Sequence, residues 1–123
     1  MSAEKMIETV NAYVDLLSTG SAEEIVALYA DETAVEDPIG APIRTSREEL
    51  LEFYSIITNM DKREATLRWV KAAGDTAVFE FTLVTGTGGM TFEITPVDIM
   101  VFDEDGKVTS MRAVWAPSDL KQL

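Results

Sequence analysis

The hydrophobic periodicity of the chain changes near Ala65, and this change limits the possible folds more than any other feature. Before it, apolar residues recur every three or four positions, as in amphipathic helices. After it, apolar and polar residues alternate, as in half-buried strands. The order in which helices come first and an antiparallel meander follows is typical of an α+β domain. We therefore predict a single domain over residues 1–123, with helices packed on one face of a curved sheet that encloses an apolar pocket.

Three helices are predicted, and each carries one tyrosine on its inner side. The first runs from Ala3 to Ser18 and ends at Gly20. The others begin at Ser21 and Ser46, where a Glu three residues later gives capping-box spacing. Buried phenols need hydrogen-bond partners, so these side chains are either ordinary core residues or a mutually bonded chain. The three are Tyr13, Tyr29 and Tyr54.

A short strand is predicted over residues 33–36, and four more are predicted near residues 65–72, 76–85, 90–102 and 107–115. The acidic segment 103–106 between the last two is interpreted as a hairpin turn, because the spacing of its carboxylates does not match a calcium-binding loop. Alternation places large apolar residues of three strands on one face, unless Pro96 introduces a bulge. That face comprises Phe79, Phe81, Leu83, Phe92, Ile94, Asp98, Met100, Phe102, Met111, Ala113 and Trp115.

The composition excludes several classes of function. The chain has no cysteine and no histidine, so disulfides, thiol nucleophiles, histidine bases and the usual zinc sites are absent. Its net charge of -12 repels nucleic acids and anionic membranes. We see no apolar segment long enough for a signal peptide or a membrane span, and we expect a cytoplasmic location. Any proton chemistry therefore falls to carboxylates and tyrosines.

Asp98 is the first candidate for such chemistry because it stands alone on an apolar strand face. An ionised carboxylate there would be costly, so Asp98 must be paired, be hydrogen-bonded, or keep its proton. A protonated Asp98 would be a hydrogen-bond donor. The alternatives are a pair with Arg112 or Arg68, or a bulge that turns the side chain to solvent.

Asp37 is the second candidate, at the end of a short predicted strand and directly before Pro38. A plain Asp-Pro turn explains this position. The functional interpretation is a general base at the rim of a pocket, where partial hydration keeps the carboxylate ionised.

Several segments in order, AYVDLL, LYADETAVEDPIG, EFY and PVDIMVFDEDGKVTSMRAVW, resemble the ketosteroid isomerase family of the nuclear-transport-factor-2-like superfamily. The resemblance runs from about Tyr13 to Trp115. It implies a cone of three helices on a strongly curved mixed sheet, a homodimer, and conversion of 3-oxo-Δ5-steroids to 3-oxo-Δ4-steroids without a cofactor or metal.

The resemblance also implies residue roles. Asp37 would be the base that moves a proton from C4 to C6, and Tyr13 and Asp98 would form the oxyanion hole. Tyr29, Tyr54 and Trp115 would support these groups. The implied steroid contacts are Phe53, Phe81, Leu83, Val97, Met111 and Val114.

Rival functions remain open at this point, because one fold hosts many activities. A dehydratase or cyclase of the same superfamily is the enzymatic rival, although histidine-dependent dehydration is excluded by composition. An Asp-Arg-Asp epoxide hydrolase site would need an Arg where Pro96 stands. A non-enzymatic module that binds hydrophobic ligands, or a dimerisation domain, is the other class. The sequence does not identify the natural substrate beyond a small hydrophobic ketone.

Overall fold

The computed structural model describes residues 1–123 as three helices on a curved sheet of seven strands. The helices are α1 (Ala3–Thr19), α2 (Ala22–Val26) and α3 (Arg47–Thr58). The strands are β1 (Tyr29–Glu36), β2 (Lys62–Ala73), β3 (Thr76–Thr87), β4 (Met90–Ile94), β5 (Val97–Phe102), β6 (Val108–Val114) and β7 (Lys121–Gln122). The predicted α+β class is confirmed.

Strand β3 organises the sheet, because it pairs with β2 along one edge and with both β5 and β4 along the other. Strand β6 joins β5, and β1 joins β6 as a parallel neighbour in an otherwise antiparallel sheet. The register of β2 shifts between Leu67 and Trp69, and such bulges bend a strand. The result is the mixed, mostly antiparallel sheet that the resemblance implied.

The helix ends follow the local signals in the sequence. Ser21 and Ser46 both form complete capping boxes with the glutamates three residues later. Helix α1 ends at Thr19, and the Gly20 N–H donates to the Leu16 carbonyl at 2.7 Å. These predictions are confirmed because each depends only on contacts within one turn of helix.

Helix α2 is shorter than predicted, and Tyr29 does not lie on it. The helix ends at Val26, and Tyr29 begins β1, where it pairs with Val108 of β6. The Val108 N–H donates to the Leu28 carbonyl at 3.0 Å, so pairing with a distant strand overrides the local helical pattern. Strand β1 therefore separates α2 from α3. It contains the short strand predicted over residues 33–36, so the expectation of three helices ahead of the sheet is not confirmed.

The strand predicted over residues 90–102 is two strands. Thr95 and Pro96 interrupt it, since proline has no N–H to donate to a ladder. Both pieces still pair with β3, and the Phe81 N–H donates to the Pro96 carbonyl at 3.4 Å between them. Alternation survives the interruption, so Ile94 and Asp98 both face the core, as predicted.

The core lies between the concave face of the sheet and the helices α1 and α3. Burying each large apolar side chain there contributes about 1.5 to 3 kcal/mol to folding. The sheet supplies Phe79, Phe81, Leu83, Met100, Phe102, Met111 and Ala113. None of the helices is both long enough and apolar enough to cross a membrane.

Candidate active site

Asp98 lies at the centre of the concave face, on β5, between Phe79 of β3 and Ala113 of β6. Its side chain is 1% exposed, and its Oδ1 atom has no hydrogen-bond partner. The alternative partners are engaged elsewhere: Arg112 bonds Glu36 at 2.9 Å, and Arg68 bonds Glu80 at 3.0 Å. Asp98 is therefore neither solvated nor paired with an arginine.

The surroundings of Asp98 favour its protonated form. Burial raises the pKa of Asp98 well above its ordinary value, and the nearby charge of Asp37 raises it further. Both effects penalise the carboxylate and not the neutral acid. A carboxyl group in this position keeps its proton to unusually high pH and can donate a hydrogen bond.

The three tyrosines form one hydrogen-bonded chain with Tyr54 in the middle. The Tyr13 and Tyr54 hydroxyl oxygens are 3.0 Å apart, and those of Tyr54 and Tyr29 are 2.5 Å apart. Each hydroxyl has one proton, so Tyr13 can donate to a ligand only if Tyr54 donates to Tyr13 and Tyr29 donates to Tyr54. In that direction the chain polarises the Tyr13 hydroxyl. Burial raises the pKa values of all three phenols well above the ordinary value, so they remain neutral donors.

Packing brings Tyr13 and Asp98 to the same place, although they come from α1 and β5. The Tyr13 ring packs edge-on against Phe79 at 6.0 Å and against Phe81 at 6.3 Å, and Phe79 is the cross-strand neighbour of Asp98. The pKa of Tyr13 is accordingly raised in part by Asp98. We call the group Tyr13, Tyr29, Tyr54 and Asp98 the buried cluster.

Asp37 occupies a different environment at the edge of the sheet. Strands β1 and β6 are parallel, with Glu36 paired to Arg112, so the residues that follow them emerge at the same edge. There the Trp115 Nε1–H donates to Asp37 Oδ1 at 2.7 Å. The chain then turns at Gly40, whose φ of 98° favours glycine. Asp37 is half-buried at this rim.

Opposing influences act on the Asp37 carboxylate. Burial raises the pKa of Asp37 above its ordinary value, and the hydrogen bond from Trp115 and the charge of Arg44 limit this rise. Asp37 therefore ionises far more readily than Asp98. We call Asp37, Arg44 and Trp115 the rim cluster. One carboxylate that can accept a proton thus stands near a group of neutral donors, an arrangement suited to enolisation of a carbonyl compound.

The candidate steroid contacts divide into two groups. Phe81, Leu83 and Met111 are buried on the concave face, and the Phe53 ring packs against Tyr54 at 5.0 Å. Val97 and Val114 pair with each other but alternate with Asp98 and Ala113, so they lie on the opposite face, where Val114 is 46% exposed. The structure does not bring these two valines to the site. That part of the expected contact set is wrong, because alternation separates neighbours on a strand.

The expected pocket is not open in this structure. Tyr13 is 2% exposed and Asp98 is 1% exposed, and the Phe79 and Phe81 rings pack edge-on against Tyr13. Neither Tyr13 nor Asp98 lines any of the five main surface cavities. One of these cavities includes Arg44 of the rim cluster, together with Glu49, Glu52, Phe53 and Ile56.

Arg44 is the site residue that the sequence did not predict. Its backbone forms an isolated bridge with Val35, and its guanidinium carbon lies 4.3 Å from the centre of the Phe53 ring. No periodicity or capping pattern marks either contact, since both join segments that only the fold brings together.

Known proteins resemble this chain in sequence and in fold. The model of the SnoaL-like domain family matches residues 10–111. A steroid Delta-isomerase from Nocardioides simplex is 40% identical over 120 residues, which cover 98% of this chain and 96% of that protein.

Two solved structures show the same architecture at lower identity. The epoxide hydrolase/cyclase-like enzyme SalBIII, described in pyran ring formation in the polyether salinomycin, has a TM-score of 0.89 and 21% identity over 98% of this chain and 97% of its own. RV0760c from Mycobacterium tuberculosis has a TM-score of 0.89 and 19% identity, over 100% of this chain and 99% of its own. At these identities the two structures indicate only the fold. With the family match and the 40% identical relative, the resemblance to ketosteroid isomerase is confirmed, and this chain belongs to the SnoaL-like domain family.

Proposed function

We propose that this protein is an isomerase that converts 3-oxo-Δ5-steroids to 3-oxo-Δ4-steroids by intramolecular proton transfer. The observation that carries this proposal is the pair of unlike aspartates: Asp37, ready to accept a proton, and Asp98, buried beside a polarised tyrosine chain. We infer a steroid substrate from the 40% identical relative, which is a steroid Delta-isomerase.

In the first step, Asp37 removes a proton from C4 of the substrate. Its Oδ1 atom is held by Trp115, which leaves Oδ2 as the accepting atom. The electrons of the broken C–H bond form a C3–C4 double bond, and negative charge develops on the C3 oxygen. In the second step, the dienolate takes the same proton back at C6 and the carbonyl re-forms. Nothing is oxidised or reduced overall, so the reaction needs no cofactor and no metal.

Tyr13 and Asp98 donate hydrogen bonds to the C3 oxygen. Their donors are fixed before the reaction in a dry environment, so they stabilise the charge that develops in the transition state more than the neutral ketone. Tyr54 and Tyr29 strengthen the Tyr13 donor through the chain of hydroxyls. The unpartnered Oδ1 atom of Asp98 gains a partner when the substrate binds.

Phe53, Phe81, Leu83 and Met111 are the proposed apolar contacts. Because Tyr13 and Asp98 are buried in this structure, substrate binding must displace side chains that pack against them. Phe53 is the side chain best placed to move, since it is half-buried at the surface cavity beside α3.

A homodimer and a cytoplasmic location remain proposals. The outer face of the sheet supports self-association, because it exposes large apolar side chains that a second copy of this chain would cover. They include Trp69, 42% exposed, and Val114, 46% exposed.

The test is the ultraviolet absorbance of the conjugated enone that forms when purified protein is mixed with a 3-oxo-Δ5-steroid. We expect a protein-dependent rise that ceases when the isolated double bond is consumed. Tight binding of a phenolic steroid without any rise would contradict the proposed function. It would favour a ligand-binding module, or an enzyme of hydratase or cyclase type that acts on another substrate.

A further inference from the structure

We propose that Arg44 is a positioning residue that favours the ionised form of Asp37, acting from a guanidinium held over the Phe53 ring. The proposal rests on the proposed function for its kinetic readout only. Its second readout, titration of the Asp37 carboxyl group, needs no turnover.

The backbone of Arg44 is held in place by pairing with Val35 of β1. The Val35 N–H donates to the Arg44 carbonyl at 2.9 Å, and the Arg44 N–H donates to the Val35 carbonyl at 2.9 Å. Paired strands lie about 4.8 Å apart, so Arg44 is one strand spacing from the segment that ends in Asp37. Its place beside the rim therefore does not depend on a flexible loop.

The side chain is held as firmly as the backbone. The guanidinium carbon lies 4.3 Å from the centre of the Phe53 ring, within the range of a cation–π contact. Phe53 in turn packs against Tyr54 of the buried cluster at 5.0 Å. The Phe53 ring thus links the Arg44 guanidinium to Tyr54 of the buried cluster.

The charge of Arg44 is not cancelled by an ion pair. The structure contains two ion pairs, Arg68–Glu80 and Arg112–Glu36, and neither includes Arg44. The Nη1 atom of Arg44 is buried without a hydrogen-bond partner.

Two acidic residues, Glu49 and Glu52, line the same surface cavity as Arg44. Glu49 is committed to the start of α3, where its Oε1 atom accepts from the N–H groups of Thr45 and Ser46. Glu52 makes no ion pair with Arg44. Arg44 therefore forms no ion pair, and its charge acts on both Glu49 and Asp37.

Few other groups compete for the Asp37 carboxylate. Trp115 donates to Oδ1, Glu36 turns away to Arg112, and the titratable groups on the core side are those of the buried cluster. Those groups favour their neutral forms because they are buried. Arg44 is the cation that lowers the pKa of Asp37 against the effect of burial.

The experiment compares Arg44→Met with Arg44→Lys, and uses Arg112→Met as the matched control. Arg112 is also near the rim, but its guanidinium pairs with Glu36. The measurements are the acid limb of kcat/KM against pH and the carbon-13 NMR titration of the Asp37 carboxyl group. We expect Arg44→Met to raise the Asp37 pKa by roughly 0.5 to 1 unit, less than the 1 to 3 units of a directly paired carboxylate. Arg44→Lys should restore most of the shift, and Arg112→Met should leave the pKa unchanged.

A purely structural role of Arg44 would lower activity equally at every pH. In contrast, the proposal requires activity of Arg44→Met to approach that of the unmodified protein above the raised pKa. Phe53→Leu gives a second route if Arg44→Met fails to fold, since losing the ring should raise the Asp37 pKa in the same direction. An unchanged Asp37 titration in the folded variants would overturn the proposal. A protein without isomerase activity in which the titration still shifts would overturn the proposed function and leave this inference supported.

Discussion

The buried cluster and the rim cluster each contain one aspartate, but the two environments differ in how strongly they favour the protonated carboxyl group. Asp98 is 1% exposed, lacks a partner at Oδ1 and lies among aromatic rings, so its neutral form is favoured. Asp37 is half-buried, accepts a hydrogen bond from Trp115 and feels the charge of Arg44, so its ionised form is accessible. Burial and partners, not residue type, decide which carboxyl group donates and which accepts.

The two clusters are also electrostatically linked. The Asp37 charge raises the pKa of Asp98, because two nearby carboxylates cannot ionise independently. One negative charge at the rim therefore helps to keep the buried acid protonated. An enolisation needs this asymmetry, since the base must be ionised while the donors to the carbonyl oxygen are neutral.

The largest effect should come from removing the acceptor at the rim. We expect Asp37→Asn to lower kcat by about 10² to 10⁴-fold with little change in steroid affinity, because the amide has a similar shape but cannot act as the base. The enone absorbance assay measures turnover, and fluorescence titration with a phenolic steroid measures affinity. Asp15→Asn, an exposed carboxylate on α1, is the matched control. Near-normal turnover of Asp37→Asn would refute the assigned base.

Removing the donor in the buried cluster should have the next largest effect. We expect Asp98→Ala to lower kcat by about 10² to 10³-fold, as when one donor of an oxyanion hole is lost. Asp98→Asn should lose less, because its amide can still donate. If both variants retain activity but unfold more easily, Asp98 is a structural residue only.

The same residue predicts how stability depends on pH. The pKa of Asp98 is higher in the folded protein than its ordinary value of 3.8, so the folded state binds more protons above that pH. The Asp98 contribution to the free energy of unfolding must then fall as pH rises from the ordinary value towards the raised one, by at most about 1.4 kcal/mol per pH unit. Urea unfolding of Asp98→Asn should lack this contribution, and its stability relative to the unmodified protein should increase with pH. A difference that stays constant with pH would mean that Asp98 is not held protonated.

Interrupting the hydroxyl chain should have a smaller effect. Tyr54→Phe removes both hydrogen bonds and leaves the Tyr13 and Tyr29 hydroxyls without their phenol partner. We expect a loss of about 1 to 3 kcal/mol in the free energy of unfolding. We also expect a roughly tenfold lower kcat, which corresponds to about 1.4 kcal/mol. Tyr29→Phe removes only the outer bond and should change both quantities less. A larger loss from Tyr29→Phe than from Tyr54→Phe would contradict the central place of Tyr54 in the chain.

The smallest effect on turnover should come from Trp115→Phe at the rim. The hydrogen bond from Trp115 to Asp37 Oδ1 lowers the pKa of that carboxyl group. The change removes this bond, so the pKa of Asp37 should rise. The acid limb of kcat/KM should move up by about one pH unit, while the rate near neutral pH changes little. The exposed Trp69, replaced by Phe, is the control. An unmoved acid limb would show that the bond does not stabilise the ionised base.

Much of the site could be predicted because it depends on local patterns. Alternation alone placed Asp98 on the same face as Met100 and Phe102, and it did so correctly despite the break at Pro96. The helical spacing of apolar residues along α1 likewise placed Tyr13 in the core. Such inferences hold because side-chain direction follows from the period of the element itself.

Other site features could not be predicted because they join distant segments. The contact between Asp37 and Trp115 needs the parallel pairing of β1 with β6, and the Arg44 guanidinium reaches the site through a bridge and an aromatic ring. The same pairing moved Tyr29 from a predicted helix to a strand while keeping its hydroxyl bonded to Tyr54.

The sequence by itself thus determined the fold class, the start of each helix and the buried position of one carboxyl group. It also limited the chemistry to carboxylates and phenols, since the chain has no histidine and no cysteine. Only the tertiary structure decided that Asp98 has no arginine partner and that Asp37 accepts a hydrogen bond from Trp115. The physical reason is that periodicity sets the direction of a side chain, whereas its pKa depends on the burial and charges supplied by elements far away in the chain.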